Sequence, residues 1–468
     1  MITLNKMSLS YEGDTVLSEI DLNIPAGECV VICGESGSGK SSLIRVLNGL
    51  IPELFEGEIK GEGEILGHNL PVKNFNEFVK EIGVVFQNPK TQFFMNDVYS
   101  ELAFSMENFA FQRVEMIKKI AIISETFDLK KYWSNTMFEL SGGEKQRIAF
   151  ASSCMIDHSL FLLDEPSSNL DDKNIQILTD SIQWLKNKKQ TIVVAEHRLY
   201  YLLPVVDRFI LMDHGRIVGD FTKEEFLKKT MTELNELGLR SLNETSLSIS
   251  DYPKVSVSKA KEALNNLSCE KIDFGYKKNS TNLRVEKLLF TSNKITGIIG
   301  ENGSGKTTLS QILTGLIKIK TGTVFYNEKK QTAKELIKRS FLVMQDVNLQ
   351  LFFESVEKEI SAKAKRLDIF DEVVTMLDLE KLLDRHPQTL SGGEKQRVAI
   401  ASAILSGKEI IVMDEPTSGL DLKHMKEVSC VINSMRKFNI IIIIISHDKE
   451  FINLTCQRVV ELHDGQLS

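Results

Sequence analysis

The sequence predicts an α/β fold: two tandem domains, each with a mainly parallel sheet core. Three observations predict it. A glycine-rich string occurs twice, as Gly34-Glu35-Ser36-Gly37-Ser38-Gly39-Lys40-Ser41 and as Gly300-Glu301-Asn302-Gly303-Ser304-Gly305-Lys306-Thr307. Each fits the G-x-x-x-x-G-K-[ST] pattern of a phosphate-binding loop. Each is followed by the same five partner strings in the same order. Short apolar strands, such as Cys29-Val30-Val31-Ile32, Ile82 to Phe86, Leu160 to Leu163 and Thr191 to Val194, alternate with helical stretches. That alternation is the α/β signature, and it puts reactive residues at the carboxyl ends of strands.

The bulk properties agree with two domains. A chain of 468 residues has room for two cores of ordinary size. Lys and Arg total 57 against 64 Asp and Glu, a formal net charge of −7, which argues against a nucleic-acid binder. No segment reaches the roughly 18 to 20 apolar residues that cross a bilayer. The longest apolar run, Ile440 to Ile445, ends in Ser446-His447-Asp448 and reads as a strand buried on both faces. The start of the chain, with a strand-like Ile2 to Leu9, shows no basic-then-apolar leader. A membrane role therefore has to come through a partner. The six cysteines form no C-x-x-C pair, so neither a metal site nor a disulfide is expected.

The first domain is expected at 1–221 and the second at 269–468, joined by a connector at 222–268 that opens as an amphipathic helix from Glu224 to Leu239 and continues as a flexible Ser-, Asn- and Lys-rich linker. The offset between matched residues is 266 at Lys40/Lys306, 258 at Gln87/Gln345 and 250 at Ser141/Ser391, and stays at 250 for Asp164/Asp414 and His197/His447. The second domain is thus shorter only before Ser391, by the size of a surface loop or hairpin.

The chemistry falls on the repeated strings. Backbone N–H groups of such a loop point at nucleotide phosphates, and the following helix N-terminus adds positive potential. Lys40 and Lys306 are placed to reach the β- and γ-phosphates, Ser41 and Thr307 to bind Mg²⁺, and Ser42 and Thr308 to complete the loop's ligands. The strands Leu160 to Leu163 and Ile410 to Met413 end in two acids each. Asp164 and Asp414 suit the Mg²⁺ shell, while Glu165 and Glu415 suit polarising an attacking water. An acidic turn at a strand end is the ordinary alternative; the phosphate loops outweigh it. His197 and His447 lie 32 residues past Glu165 and Glu415 in both halves, a spacing that favours a γ-phosphate contact over a chance surface histidine.

Leu-Ser-Gly-Gly-Glu-Lys-Gln-Arg occurs at Leu140 to Arg147 and at Leu390 to Arg397. It resembles the signature of ATP-binding-cassette ATPases, P-loop NTPases whose cassettes add a helical signature subdomain to the sheet core. In that family two cassettes close head to tail around two ATP molecules. The resemblance implies that Lys40 works opposite Ser391, Gly392 and Gly393, and Lys306 opposite Ser141, Gly142 and Gly143. Ser and two glycines before a helix let backbone N–H groups approach a phosphate closely. It further implies adenine stacking by Tyr11 and by Tyr276 (or Phe274), and γ-phosphate and Mg²⁺ sensing by Gln87 and Gln345. Ser168-Asn169-Leu170-Asp171 and Ser418-Gly419-Leu420-Asp421 would lie where the cassettes meet. Asn169 departs from the usual Gly there, and Ser292-Asn293 stands where the first half has Pro25-Ala26-Gly27-Glu28. Neither change removes a catalytic group.

After the glutamines come Asn88-Pro89-Lys90-Thr91-Gln92-Phe93-Phe94 and Asp346-Val347-Asn348-Leu349-Gln350-Leu351-Phe352, continuing to Glu101-Leu102 and Glu359-Ile360. With Ala195-Glu196-His197-Arg198-Leu199, these strings are similar to energy-coupling-factor transporter ATPases of the fused two-cassette kind. That resemblance implies a peripheral protein on the cytoplasmic face of the cell membrane, with ATP and Mg²⁺ as cofactors and no nucleic acid. Its partners would be a multi-span membrane coupling protein and a small membrane protein that captures a vitamin, a vitamin precursor or a metal ion. The aromatic residues would contact the coupling partner, although core packing is their common alternative. Intramolecular pairing of the two cassettes is favoured, because a tethered partner is present at high effective concentration. A soluble tandem-cassette ATPase acting on ribosomes is the second reading, prompted by Ser446-His447-Asp448-Lys449-Glu450-Phe451; the acidic net charge and the strings at Gln92 and Gln350 oppose it.

Overall fold

The computed structural model describes residues 1–168, 170–243, 265–276, 282–417 and 419–467. The chain divides into two compact units, Met1–Glu244 and Thr245–Ser468. The first unit has ten strands: β1 (Ile2–Tyr11), β2 (Asp14–Ile24), β3 (Cys29–Cys33), β4 (Glu58–Ile65), β5 (His68–Asn69), β6 (Ile82–Val85), β7 (Leu160–Asp164), β8 (Thr191–Ala195), β9 (Arg208–Asp213) and β10 (Arg216–Thr222). They form an antiparallel sheet in the order β2-β1-β4-β5 and a core sheet in the order β10-β9-β3-β8-β7-β6. The core sheet is parallel except at its β9–β10 edge.

A continuous apolar strand is what a two-faced core requires. On β3, Cys29, Val31 and Cys33 pack into the core on the helical side, while Val30 and Ile32 pack into the core toward the antiparallel sheet. Burial pushes the Cys29 and Cys33 thiols up to about 12, so they stay protonated. Three helices, Val98–Asn108, Arg113–Thr126 and Gly142–Ser153, build a helical region between β6 and β7.

The second unit repeats this plan with β11 (Asn266–Phe274), β12 (Leu283–Thr291), β13 (Thr296–Ile299), β14 (Thr321–Tyr326), β15 (Lys329–Gln331), β16 (Ser340–Val343), β17 (Ile410–Asp414), β18 (Ile441–Ile445), β19 (Arg458–His463) and β20 (Gln466–Leu467). Here one pairing, Arg284 with Gln466, joins the two layers into a single ten-stranded sheet. The isoleucine run on β18 divides as β3 does: Ile442 and Ile444 face one core, and Ile441, Ile443 and Ile445 the other. Part of the second unit's deficit in length sits in the helical region, where Val356–Ser361 and Phe370–Met376 replace helices of eleven and fourteen residues.

The connector differs from the single helix expected over Glu224 to Leu239. Two short helices, Lys223–Phe226 and Met231–Glu236, occupy the segment. Each starts with its own capping box, Thr222 with Glu225 and Thr230 with Glu233. A threonine whose hydroxyl serves the N–H three residues on begins a new helix rather than continuing an old one. Phe226, Leu234, Leu239 and Leu242 are buried in the first unit's core, so the segment through Leu242 packs as part of that unit. β11 starts at Asn266, three residues before the expected domain start. The remainder of the expected linker, like Asn169 and Ser418, lies outside the described residues.

Candidate nucleotide site

Sheet register assembles the site. Ile32 on β3 and Asp164 on β7 both pair with Ala195 on β8. The phosphate loop, the paired acids and the histidine loop therefore leave the sheet at one end. In the second unit, Ile298 and Asp414 pair with Ile445 in the same way.

The phosphate loops need their glycines. Gly34 has φ 146° and Gly300 φ 147°, and a Cβ at Gly34 would lie 2.1 Å from the Met212 carbonyl oxygen. The helices Lys40–Leu47 and Lys306–Leu313 start from Gly39 and Gly305, both left-handed at φ 100°. The Lys40 ammonium donates to the carbonyls of Gly34 and Glu35 at 2.9 and 2.8 Å; Lys306 does the same to Gly300 and Glu301 at 2.7 and 2.8 Å. The hydroxyls of Ser38 and Ser304 are buried without a partner among the described residues. A buried hydroxyl without a partner is costly. With the lysine and the N–H groups of the loop, it makes a fitting cradle for phosphate oxygens.

Ser41 Oγ lies 3.0 Å from Asp164 Oδ1, and Thr307 Oγ1 3.3 Å from Asp414 Oδ2. The structure thus brings together the hydroxyl and the aspartate expected around Mg²⁺ in each half, whereas Gln87 bonds Glu165 and Gln345 is exposed. Burial, with Glu165 beside it, raises Asp164 to about 6 against the opposing Ser41 hydroxyl, Arg45 and Lys40. Asp414 is raised by burial too. Both carboxyls are pushed toward neutrality, and a divalent cation would offset that push.

Glu165 and Glu415 sit in the left-handed region, at φ 43° and 49°. Their N–H groups are held by the Ala195 and Ile445 carbonyls, at 2.8 Å each. Such a backbone persists only where its surroundings over-determine it. Gln87 Nε2 donates to Glu165 Oε2 at 2.7 Å, and His197 Nε2 lies 3.2 Å from Oε1. In the second unit, Glu415 accepts from Ser446 Oγ at 3.1 Å and from the His447 N–H at 3.1 Å, with His447 Nε2 at 3.4 Å. Gln345 stands exposed just past β16.

The signature strings form helix starts. Ser141 caps the helix Gly142–Ser153 and Ser391 the helix Gly392–Leu405, each with a capping box closed by Glu144 or Glu394. A Cβ at Gly142 or Gly392 would meet nothing within 4 Å, so each helix N-terminus is open to an anion. The aromatic residues differ. Tyr276 is 63 % exposed with its hydroxyl 3.1 Å from Thr308 Oγ1, beside the phosphate-loop helix. Tyr11 is partly buried against Gly57, its hydroxyl buried without a partner among the described residues.

Several residues do more than their place in the sequence suggests. Glu196 is buried at the end of β8. It accepts from the N–H groups of His197, Arg198 and Ser167 at 2.7, 3.1 and 3.3 Å, and from the Tyr201 hydroxyl at 2.8 Å. It thereby pins the turn that aims His197. Its position beside His197 and the nearby Tyr201 are the local hints of this; the Ser167 N–H is brought in by tertiary packing. Tyr201→Phe removes a buried donor and should destabilise the first unit by about 1–3 kcal/mol. Calorimetry should show that unit melting earlier and the second unchanged; an unaltered first transition would refute the role.

Gln92 and Gln350 clasp the edge strands. Gln92 accepts from the Phe86 N–H and donates to the Val84 carbonyl at 3.3 and 3.1 Å. Gln350 repeats this on Met344 and Leu342 at 2.8 and 2.6 Å. A side-chain amide here completes the hydrogen bonding of an edge strand. Glu101 Oε2 accepts from the N–H groups of Phe94 and Met95 at 3.0 and 2.8 Å, and Glu359 Oε2 from those of Phe352 and Phe353 at 2.7 and 2.9 Å.

Comparison with known proteins agrees with this geometry. A profile of the ABC transporter family matches residues 17–168 and 284–418. A Treponema denticola protein carrying the provisional name ABC transporter ATP-binding protein is 40 % identical over 476 residues, covering 100 % of this chain and 96 % of its own. A Sulfurisphaera tokodaii protein with the same provisional name is 31 % identical, covering 97 % and 94 %. Among solved structures, a ribosome-bound archaeal Pelota and ABCE1 model matches with TM-score 0.69 at 23 % identity over 98 % of this chain and 77 % of that one. An RNase-L Inhibitor structure matches with TM-score 0.62 at 22 % identity over 98 % and 89 %. At such identity these two likenesses show the tandem fold alone. The repeated phosphate loops, acids and signature helices, with the family match over both units, make this chain a tandem-cassette ATPase of the ABC transporter family.

Proposed function

We propose that this chain is the ATP-binding and hydrolysing subunit of an energy-coupling-factor importer. It would work at the cytoplasmic face of the membrane and drive a multi-span coupling protein that serves a small capture protein for a vitamin, a vitamin precursor or a metal ion. One observation carries the reading. In each cassette a carboxylate-clamped turn holds a phenylalanine out into solvent, Phe94 at 71 % and Phe352 at 77 % exposed, seven residues past the glutamine that follows the edge strand. Large exposed aromatics on a fixed turn mark a contact surface. Their repetition fits two equivalent helices of one partner. No helix among the described residues is long and apolar enough to cross a membrane, so the membrane component would be another chain.

In this reading Lys40 and Lys306 bind the terminal phosphates, Ser41, Thr307, Asp164 and Asp414 hold Mg²⁺, and Glu165 and Glu415 polarise water toward the γ-phosphate. Gln87 and Gln345 link that phosphate to the aromatic turn. Phe94→Ala with Phe352→Ala should lower partner recovery at least tenfold while ATP hydrolysis by the isolated chain changes less than twofold. The test is tagged purification from detergent-solubilised cells. A multi-span membrane protein with a small hydrophobic companion, lost in the double variant, is expected. Ribosomal proteins without a membrane partner would overturn the reading in favour of a soluble ribosome factor.

A further inference from the structure

The two signature turns rest on different residues. In the first cassette, the Asp171 carboxylate accepts from the N–H and the side-chain amide of Asn174, at 2.9 and 2.6 Å. That amide lies flush under the signature: a Cβ at Gly143 would be 2.3 Å from its Cγ. In the second cassette a histidine stands there. His424 Nδ1 lies 2.9 and 3.0 Å from the two oxygens of Asp421, and Asp421 Oδ1 also accepts the His424 backbone N–H at 2.8 Å. The ring packs under Gly393, where a Cβ would be 3.3 Å from Cδ2. The Asp421 side chain is 1 % exposed and that of His424 27 %.

The difference extends one turn further. Arg397, on the signature helix, pairs with Glu427 on the helix Leu422–Ser434 at 3.1 Å. The matching positions of the first cassette hold Arg147 and the apolar Ile177. The charged groups facing His424 are therefore Asp421 and Glu427 from its own helix and Arg397 from the signature helix. The hydrogen bond to Asp421 is the largest influence and raises the imidazole above its ordinary 6.5, against partial burial. A raised histidine contributes its stabilisation fully below 6.5 and loses it as pH rises through the raised value.

We propose that His424 is a positioning residue whose protonated ring ties Asp421 to the underside of the Gly393 turn, so that proton loss loosens the second signature and not the first. The inference rests on the signature's part in ATP hydrolysis, and not on any transport partner. A buried carboxylate facing a neutral imidazole keeps one hydrogen bond but loses the ion pair. The turn it supports then loses a fixed floor. Asn174 cannot titrate, so the first turn keeps its floor at every pH.

Two measurements on the full-length chain test this. The first is the His424 ring titration by NMR, assigned with His424→Asn. Its midpoint should lie above the ordinary histidine value of 6.5. The second is ATP turnover from pH 6 to pH 8.5 for wild type and His424→Asn. The ratio of the two should fall by about three- to tenfold as pH rises, with a midpoint matching the ring titration. Groups common to both proteins cancel in that ratio. A ratio flat across the range, or a ring that titrates at or below 6.5, would overturn the proposal. Asn174→His serves as the second variant and should add a new alkaline fall to the profile; an unchanged profile would also count against it. A wild type without turnover at any pH would fail the ATPase reading instead, and the ring titration would still decide the His424–Asp421 link.

Discussion

Glu165→Gln should keep ATP binding and lower hydrolysis at its site by about 10²–10⁴-fold, the usual contribution of a positioned general base. The surroundings make the substitution clean. Gln87 Nε2 already donates to Oε2, and a glutamine carbonyl can accept the same bond, so the αL backbone and its link to Ala195 need not move. Basicity is lost, and the oxygen facing His197 Nε2 at 3.2 Å becomes an N–H donor. Glu415→Gln should behave alike, since Ser446 Oγ and the His447 N–H donate to it. Single-turnover hydrolysis and nucleotide binding, measured for each variant, read the two effects separately. Full activity in either variant would make that half non-catalytic.

Gly34→Ala and Gly300→Ala should be the most damaging changes in the phosphate loops. The added methyl would fall 2.1 Å from the Met212 carbonyl oxygen and 2.2 Å from that of Leu462, and both positions have φ near 146°. The loop cannot retreat easily, because Gly215 N–H holds the Ser38 carbonyl and Gly465 N–H that of Ser304, at 3.1 Å each. A cost of about 3 kcal/mol or more is expected, with loss of nucleotide binding. Gly37→Ala is the control. Its φ is 81° with nothing within 4 Å of the new methyl, so only backbone strain of about 1–2 kcal/mol applies. Urea unfolding with an ATP-binding assay orders the three; Gly34→Ala unfolding like wild type would contradict the geometry.

Most of the candidate site is legible in the amino-acid sequence, for a local reason. A phosphate loop, an acid pair at a strand end and a helix start carrying Ser-Gly-Gly are short-range devices, each needing particular residues at fixed spacing. Register then does the rest, through the pairing of Ile32 and Asp164 with Ala195. The connector departs from its expected single helix because hydrophobic periodicity over Glu224 to Leu239 survives the break at Thr230, whereas the capping bond that makes the break is a matter of one hydroxyl. In sequence, the glutamines of the two aromatic strings are only family markers; their clasp on the edge strands depends on β6 and β16 lying beside them in space.

The sequence by itself determined that there are two cassettes, where the phosphate loops and the strands that end in the paired acids lie, and which residues are candidates for the chemistry. Those features depend on residue type and near neighbours along the chain. Only the tertiary structure decided how alike the two sites are. Glu196 with Tyr201 in one cassette and Ser446 in the other, and Asn174 in one where His424 stands in the other, are single substitutions at matched positions. The bonds to Tyr201 and to the capping aspartates are local, but Ser446 reaches a glutamate 31 residues away and Asn174 and His424 pack under glycine turns of another helix, contacts the one-dimensional spacing cannot show.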